Sequence, residues 1–232
     1  MQSSAEIWYN QIIDYIFRRL KSMRLYIMRH GETDWNKIKQ LQGKSDVPLN
    51  DFGRMLARKT AEALEKVPFD LVITSPLSRA RETALIVKGE REIPLIEDAR
   101  IEEMSFGIYE GLCCKGEGFN IPDEEFHKFF DDPVHYNPPE NGENFDEFCS
   151  RVENFLKELL SYEDYAESTI LVTVHGAVMC AMLRAIKRNP LSMFWGSGVH
   201  KNCGVTIVNV ENGVPEIEQE NVTYYEDAVE EW

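Results

Sequence analysis

Two textures alternate along the chain. Short apolar runs of four or five residues are separated by longer stretches in which apolar positions return every three or four residues. Leu25–Met28, Leu71–Thr74 and Ile170–Val174 read as buried strands, and Ile93–Ile96 as a weaker one. Between them, residues 50–66 carry a helical pattern that Asn50 or Asp51 can cap. Ser75-Pro76 reads as an N-cap followed by a first-position proline, opening a helix through about Val87. Residues 144–160 form an amphipathic helix, and an apolar helix follows His175-Gly176 to Lys187. Gly204–Glu211 and Val214–Glu220 alternate around Asn212-Gly213, a pair suited to a two-residue hairpin. The pattern predicts an α/β fold. Its expected form is a three-layer α/β/α sandwich, with a mostly parallel sheet and an antiparallel C-terminal hairpin.

Two segments depart from this rhythm. Residues 112–143 are rich in Gly, Pro, Asp and Glu, with one short helical stretch at 124–130, and read as a lid-like insertion. Residues 1–22 read as an N-terminal amphipathic helical extension, with Trp8, Ile12, Ile16 and Leu20 on one stripe. The remaining 23–232 is then the main domain. An uncovered stripe of that size invites aggregation, so it is expected to pack on this domain or on a second copy in a homo-oligomer.

Composition narrows the function. The chain has 232 residues, enough for one domain with a full core, and 40 acidic against 25 basic residues leave it at −15. That charge argues against nucleic acid as a partner, because phosphate backbones need a basic surface. No apolar run reaches the ~20 residues that cross a bilayer, so no membrane partner is expected. Glu6, Asp14, Arg18 and Arg19 interrupt any secretory signal. Five cysteines without a C-x-x-C spacing read as free thiols, which makes the cytoplasm the expected location.

Within so acidic a chain, the placement of cations matters. The first strand runs into Arg29-His30, the second leads to Arg79 in the first turn of a helix, and the fourth delivers His175. In a parallel sheet these four groups share one edge, where α/β folds bind ligands. Ser75-Pro76 adds a helix N-terminus aimed at the same place. Gly31 would let the backbone turn close to a ligand. Together they predict an anion site, most naturally for a phosphoryl group, whose oxygens match arginine forks.

The residues that carry this chemistry resemble a known family. Arg29-His30-Gly31-Glu32-Thr33-Asp34-Trp35-Asn36 is similar to the signature of the histidine phosphatase superfamily, the phosphoglycerate mutase-like fold. The resemblance continues through Gln42-Gly43, Ser75-Pro76-Leu77-Ser78-Arg79-Ala80, Glu103-Met104-Ser105-Phe106-Gly107, Asn141-Gly142-Glu143 and Val174-His175-Gly176. It implies that His30 attacks phosphorus as a neutral ring and becomes a phosphohistidine, its other nitrogen donating to a backbone carbonyl. Arg29, Arg79 and His175 would hold the phosphoryl oxygens, and Glu103 would protonate the leaving alkoxide. Adjacent residues of an extended segment point opposite ways, so Glu102 cannot share that task. Asn36, Gln42 and Gly43 match substrate-contacting positions, and Gly176 would allow close approach behind His175. The resemblance implies no metal and no cofactor. Because family members open their first strand near the initiator, it also marks residues 1–22 as an addition.

Three functions share this resemblance. Mutases of the family carry polar and cationic residues beside the acid, whereas this chain has Met104-Ser105-Phe106. The span from Glu117 to Glu147 adds ten acidic residues against one lysine. Both favour hydrolysis of a small phosphorylated metabolite over phosphoglycerate mutase-type transfer. A catalytically inactive interaction module of the same fold is the third reading, disfavoured because every pocket residue is present.

Overall fold

A computed structural model describes residues 22–196 and 198–226. Apart from Ser22, the expected N-terminal extension lies outside the described residues. Ser22 itself begins the first strand, one residue ahead of the expected boundary.

Six strands form one mixed sheet in the order β3-β2-β4-β1-β5-β6. They are β1 (Ser22–Arg29), β2 (Leu71–Thr74), β3 (Leu95–Glu97), β4 (Thr169–Val174), β5 (Val205–Glu211) and β6 (Val214–Val222). β1, β2, β3 and β4 are parallel, while β5 pairs antiparallel with both β1 and β6. The sheet centre is apolar on both faces, as parallel strands between helices must be. Alternation sends Leu25 and Ile27 into one core and Tyr26 and Met28 into the other.

Helices α2 (Asp51–Ala63) and α3 (Ser78–Lys88) cover the face carrying Tyr26 and Met28. After α1 (Asp34–Lys37) and the lid turn α4 (Lys128–Asp131), helices α5 (Phe145–Ser161) and α6 (Gly176–Lys187) cover the other. The expected three layers are present. Of the two candidate caps for α2, Asn50 takes the position, its side chain accepting from the Gly53 N–H at 2.7 Å. Asn144 caps α5 in the same way.

Two boundaries differ from expectation. β3 begins at Leu95, because Pro94 has no N–H for the ladder; its carbonyl still accepts from Val72 at 3.0 Å. Helix α3 begins at Ser78 with Leu77 before it, so Ser75-Pro76 is a connecting turn and Ser75 is not the cap. At the hairpin, Asn212 (φ 52°) and Gly213 (φ 76°) both adopt the left-handed region, as a type I′ turn requires.

The 112–143 insertion folds as short 3-10 turns around α4 and packs aromatic side chains onto the α5/α6 core. Phe129 is its hub, with ring centroids of Phe130 and Trp195 at 4.9 Å, Phe106 and Tyr136 at 5.2 Å, and Phe145 at 5.5 Å.

Candidate active site

The carboxyl ends of β2, β4 and β1 lie side by side and carry the predicted cations inward. Arg29, His30, Arg79 and His175 are all at most 3% exposed. Such burial is costly for charge, so each group is held by directed hydrogen bonds.

His30 Nδ1 donates to the Gly31 carbonyl at 2.6 Å, which leaves the lone pair on Nε2. Burial, then the nearby Arg79 and Arg29 guanidiniums, hold its pKa well below the usual histidine range. The ring is therefore neutral at physiological pH. Its loop is clamped from behind, where Asn202 Nδ2 donates to the His30 carbonyl at 3.0 Å. Gly31 serves a different purpose from the one expected. A Cβ there would lie 2.6 Å from the Gly53 carbonyl, so this glycine lets α2 approach the loop, not a ligand.

Both arginines are fixed by backbone carbonyls. Arg29 Nη1 donates to His200 O at 2.5 Å, and Arg79 donates to Ser45 O at 2.8 Å and Gly43 O at 2.7 Å. Desolvation lowers each pKa to about 10, with Glu103 pulling the other way, so both remain cationic at neutral pH. Arg79 Nε is buried without a partner among the described residues. Its acceptor loop is held in turn by Glu110. That carboxylate accepts from the N–H groups of Lys44 (3.0 Å), Ser45 (2.8 Å) and Phe106 (3.1 Å), and from the Ser45 hydroxyl at 2.6 Å.

His175 is fully buried, its ring 5.2 Å from that of His30. Nε2 bonds the Ser75 hydroxyl at 2.7 Å, and Nδ1 has no partner among the described residues. Ser75 Oγ also accepts from Leu77 N at 3.3 Å; when its own proton points to His175 Nε2, the imidazole proton sits on Nδ1. Burial, followed by Arg79, pushes the His175 pKa well below normal. The helix N-terminus expected to face the anion is otherwise engaged, since Ser78 N donates to Asp46 Oδ1 at 2.7 Å.

The two neighbouring glutamates separate as alternation requires. Glu103 lines the cavity and accepts from Met104 N at 3.0 Å and Ala177 N at 3.1 Å. Glu102 turns to Lys44, 3.6 Å away. Arg151 sets the path of this segment, donating to the carbonyls of Arg100 (2.8 Å), Glu102 (2.7 Å) and Glu103 (2.9 Å). It also pairs with Glu143 through two bonds of 2.7 and 2.8 Å, which hold the Glu143 carboxyl below the ordinary range against its burial.

The cavity itself measures about 50 Å³. Asn36, Gln42, Gly43 and Gly176 all line it, as does Gln40. Asn36 Oδ1 accepts from the Thr33 N–H at 3.1 Å, closing a capping box at α1, whereas Gln42 Oε1 is buried without a partner. At Gly176 a Cβ would lie 2.9 Å from a Val199 methyl group, so the glycine makes room for that side chain. The sequence gives Glu110, Arg151 and Asn202 no role, and Ser75 only that of a helix cap. Ser75 and Glu143 sit inside the quoted motifs, but Arg151 and Asn202 carry no local signal. Among the described residues, no cluster of three His, Cys, Asp or Glu side chains is placed to hold a metal ion.

A doubly covered sheet that gathers two guanidiniums, two neutral imidazoles and a carboxyl at its strand ends has the makeup of a phosphoryl-handling enzyme. The chain belongs to the histidine phosphatase superfamily (branch 1), whose sequence profile matches residues 25–223. It is 34% identical to the uncharacterized phosphatase PhoE of Bacillus subtilis, over 69% of this chain and 75% of that one. It is 32% identical to the adenosylcobalamin/alpha-ribazole phosphatase of Escherichia coli, over 78% of this chain and 87% of the other. The solved structure of Bacillus stearothermophilus YhfR superposes with a TM-score of 0.79 at 32% identity, covering 87% of this chain and 98% of YhfR. The expected assignment to the phosphatase branch of this superfamily holds.

Proposed function

We propose that the chain hydrolyses phosphomonoesters of small metabolites through a phosphohistidine on His30. The observation that carries this reading is the His30 Nδ1–Gly31 carbonyl bond, because it leaves a neutral ring with its Nε2 lone pair available beside two buried guanidiniums. The Nε2 pair attacks phosphorus, the ester P–O bond breaks, and Glu103 gives its proton to the departing alkoxide oxygen. Arg29, Arg79 and the Nδ1–H of His175 hold the phosphoryl oxygens as charge spreads over them. A water then attacks phosphorus, its proton passes to the Glu103 carboxylate, and the N–P bond breaks to release inorganic phosphate. Asn36, Gln42, Gly43 and Gly176 shape the substrate side of the cavity.

This chemistry needs no metal or cofactor, and EDTA should leave turnover unchanged. The same reading keeps 23–232 as the catalytic domain and 1–22 as an addition that serves packing or self-association; a truncation starting at Met23 should retain kcat. Five free cysteines support the cytoplasm as its location. Among the described residues, no helix is long and apolar enough to cross a membrane. The decisive experiment is rapid acid quenching of the enzyme with ³²P-labelled ester. Acid-labile label on His30, absent in His30→Ala together with turnover, is expected; label elsewhere, or an active mutant, would refute the mechanism.

A further inference from the structure

Beyond the phosphoryl-binding groups, the cavity wall changes character. Phe106, Phe129, Phe130, Trp195, Leu41 and Val199 form it. Trp195 is fixed in this wall by its Nε1–H, which donates to the Phe129 carbonyl at 2.7 Å, with the two rings 4.9 Å apart. A cavity of about 50 Å³ has room for only a few waters, so the alcohol part of an ester must lie along these rings or press them outward.

The charge balance points the same way. Among the described residues, Arg29 and Arg79 are the cations that line the cavity, and the phosphoryl group claims both. Lys44 lies beside Glu102, and Lys115 sits over the outer part of the roof, 4.5 Å from the Phe130 ring centre. Asn36, Gln40 and Gln42 can bond a hydroxyl but do not neutralise a carboxylate. The roof segment itself, from Glu117 to Glu147, holds ten acidic residues and one lysine. A second anion on the substrate would lose its hydration against aromatic faces with no cation to meet it. An apolar alcohol would gain from the same contact, and an aromatic one would gain most.

We propose that the substrate class of this site is a phosphomonoester whose alcohol portion is apolar, preferably ring-bearing, and carries no second anionic group. The proposal rests on the phosphatase reading above and adds to it what the roof selects.

Three esters of primary alcohols with similar leaving-group basicity separate the two claims: 3-phenylpropyl, n-propyl and 3-carboxypropyl phosphate. With the full chain, kcat/KM for the phenylpropyl ester should exceed that for the propyl ester by roughly 10- to 100-fold, with the carboxypropyl ester slowest. Phe130→Ala and Trp195→Ala should each collapse the phenylpropyl-to-propyl ratio. Both side chains are only partly buried, and Phe130→Leu serves if an alanine variant misfolds. Turnover with the carboxypropyl ester equal to or above the phenylpropyl ester would overturn this proposal and leave the phosphatase reading standing. A ratio unmoved by the roof variants would overturn it as well. No turnover of any ester would overturn both.

Discussion

The floor and the roof of the cavity are built on opposite principles. The floor is polar, and its bonds are directed: His30 to Gly31, Arg79 to Gly43 and Ser45, His175 to Ser75. The roof is a stack of rings centred on Phe129, held by contact area with a single indole hydrogen bond. Directed bonds fix atoms to fractions of an ångström, as transition-state stabilisation demands. Ring packing fixes a surface, which is enough to choose a substrate. On the proposed reading, the enzyme separates the chemistry of the phosphoryl group from the choice of its alcohol. Damage to the floor should appear in kcat, and damage to the roof in stability and selectivity.

The largest expected effect lies on the floor. Glu103→Gln should slow alkyl phosphates by ~10²–10⁴-fold. It should cost far less with p-nitrophenyl phosphate, whose leaving group needs little protonation. Glu102→Gln should do neither. A leaving-group dependence that follows Glu102 would reverse the assignment of the two neighbours.

On the roof, Phe129→Ala removes the ring that six others surround among the described residues and should lower unfolding free energy by about 3–5 kcal/mol. Urea melts would show it, and a loss below ~1 kcal/mol would mean that the roof is not part of the cooperative core.

Acid should weaken the floor selectively. Burial lowers the pKa of His30 and His175 well below normal and that of His200 to about 4. The unfolded chain takes up these protons near pH 6.5 while the folded chain refuses them. Stability should therefore be full above pH 6.5 and fall progressively below it, measured as the urea midpoint at pH 7.5 against pH 5.5. Phosphate, by giving His175 an anionic partner, should blunt that fall.

The smallest effect tests a positioning residue. Ser75→Ala removes the hydrogen bond that orients the His175 ring, and kcat/KM should drop by ~5- to 10-fold. Ser75→Thr, which keeps the hydroxyl, should restore it. A purely structural role would predict lost stability with kcat/KM unchanged.

Much of the floor could be read from the chain because its logic is local. An apolar run ending in Arg29-His30 fixes where the first strand stops and what it presents. Alternation along an extended segment lets only one of Glu102 and Glu103 face the site, and the family resemblance points to Glu103. Asn212-Gly213 specifies its own turn, since those two residues tolerate the left-handed backbone that a type I′ hairpin needs. The reading went astray where a local signal had a distant use. Ser75-Pro76 looks like the start of a helix, yet Ser75 spends its hydroxyl on a histidine 100 positions away. Gly31 looks like a ligand-facing glycine, yet Gly53 of α2 occupies the space beside it.

What the sequence by itself determined was the order of elements, the sheet edge that gathers the cations, and the identity of the groups fit for phosphoryl chemistry. These follow from steric and periodic rules acting over a few residues. Tertiary structure alone decided which partner each group takes. Arg79 is held by a loop 34 to 36 residues earlier, Arg151 steers a segment about 50 residues before it, and Trp195 closes over Phe129 from 66 residues away. Such pairings depend on how layers pack. A hydrogen-bond donor or an aromatic ring carries no mark of its partner until the fold brings the two within reach.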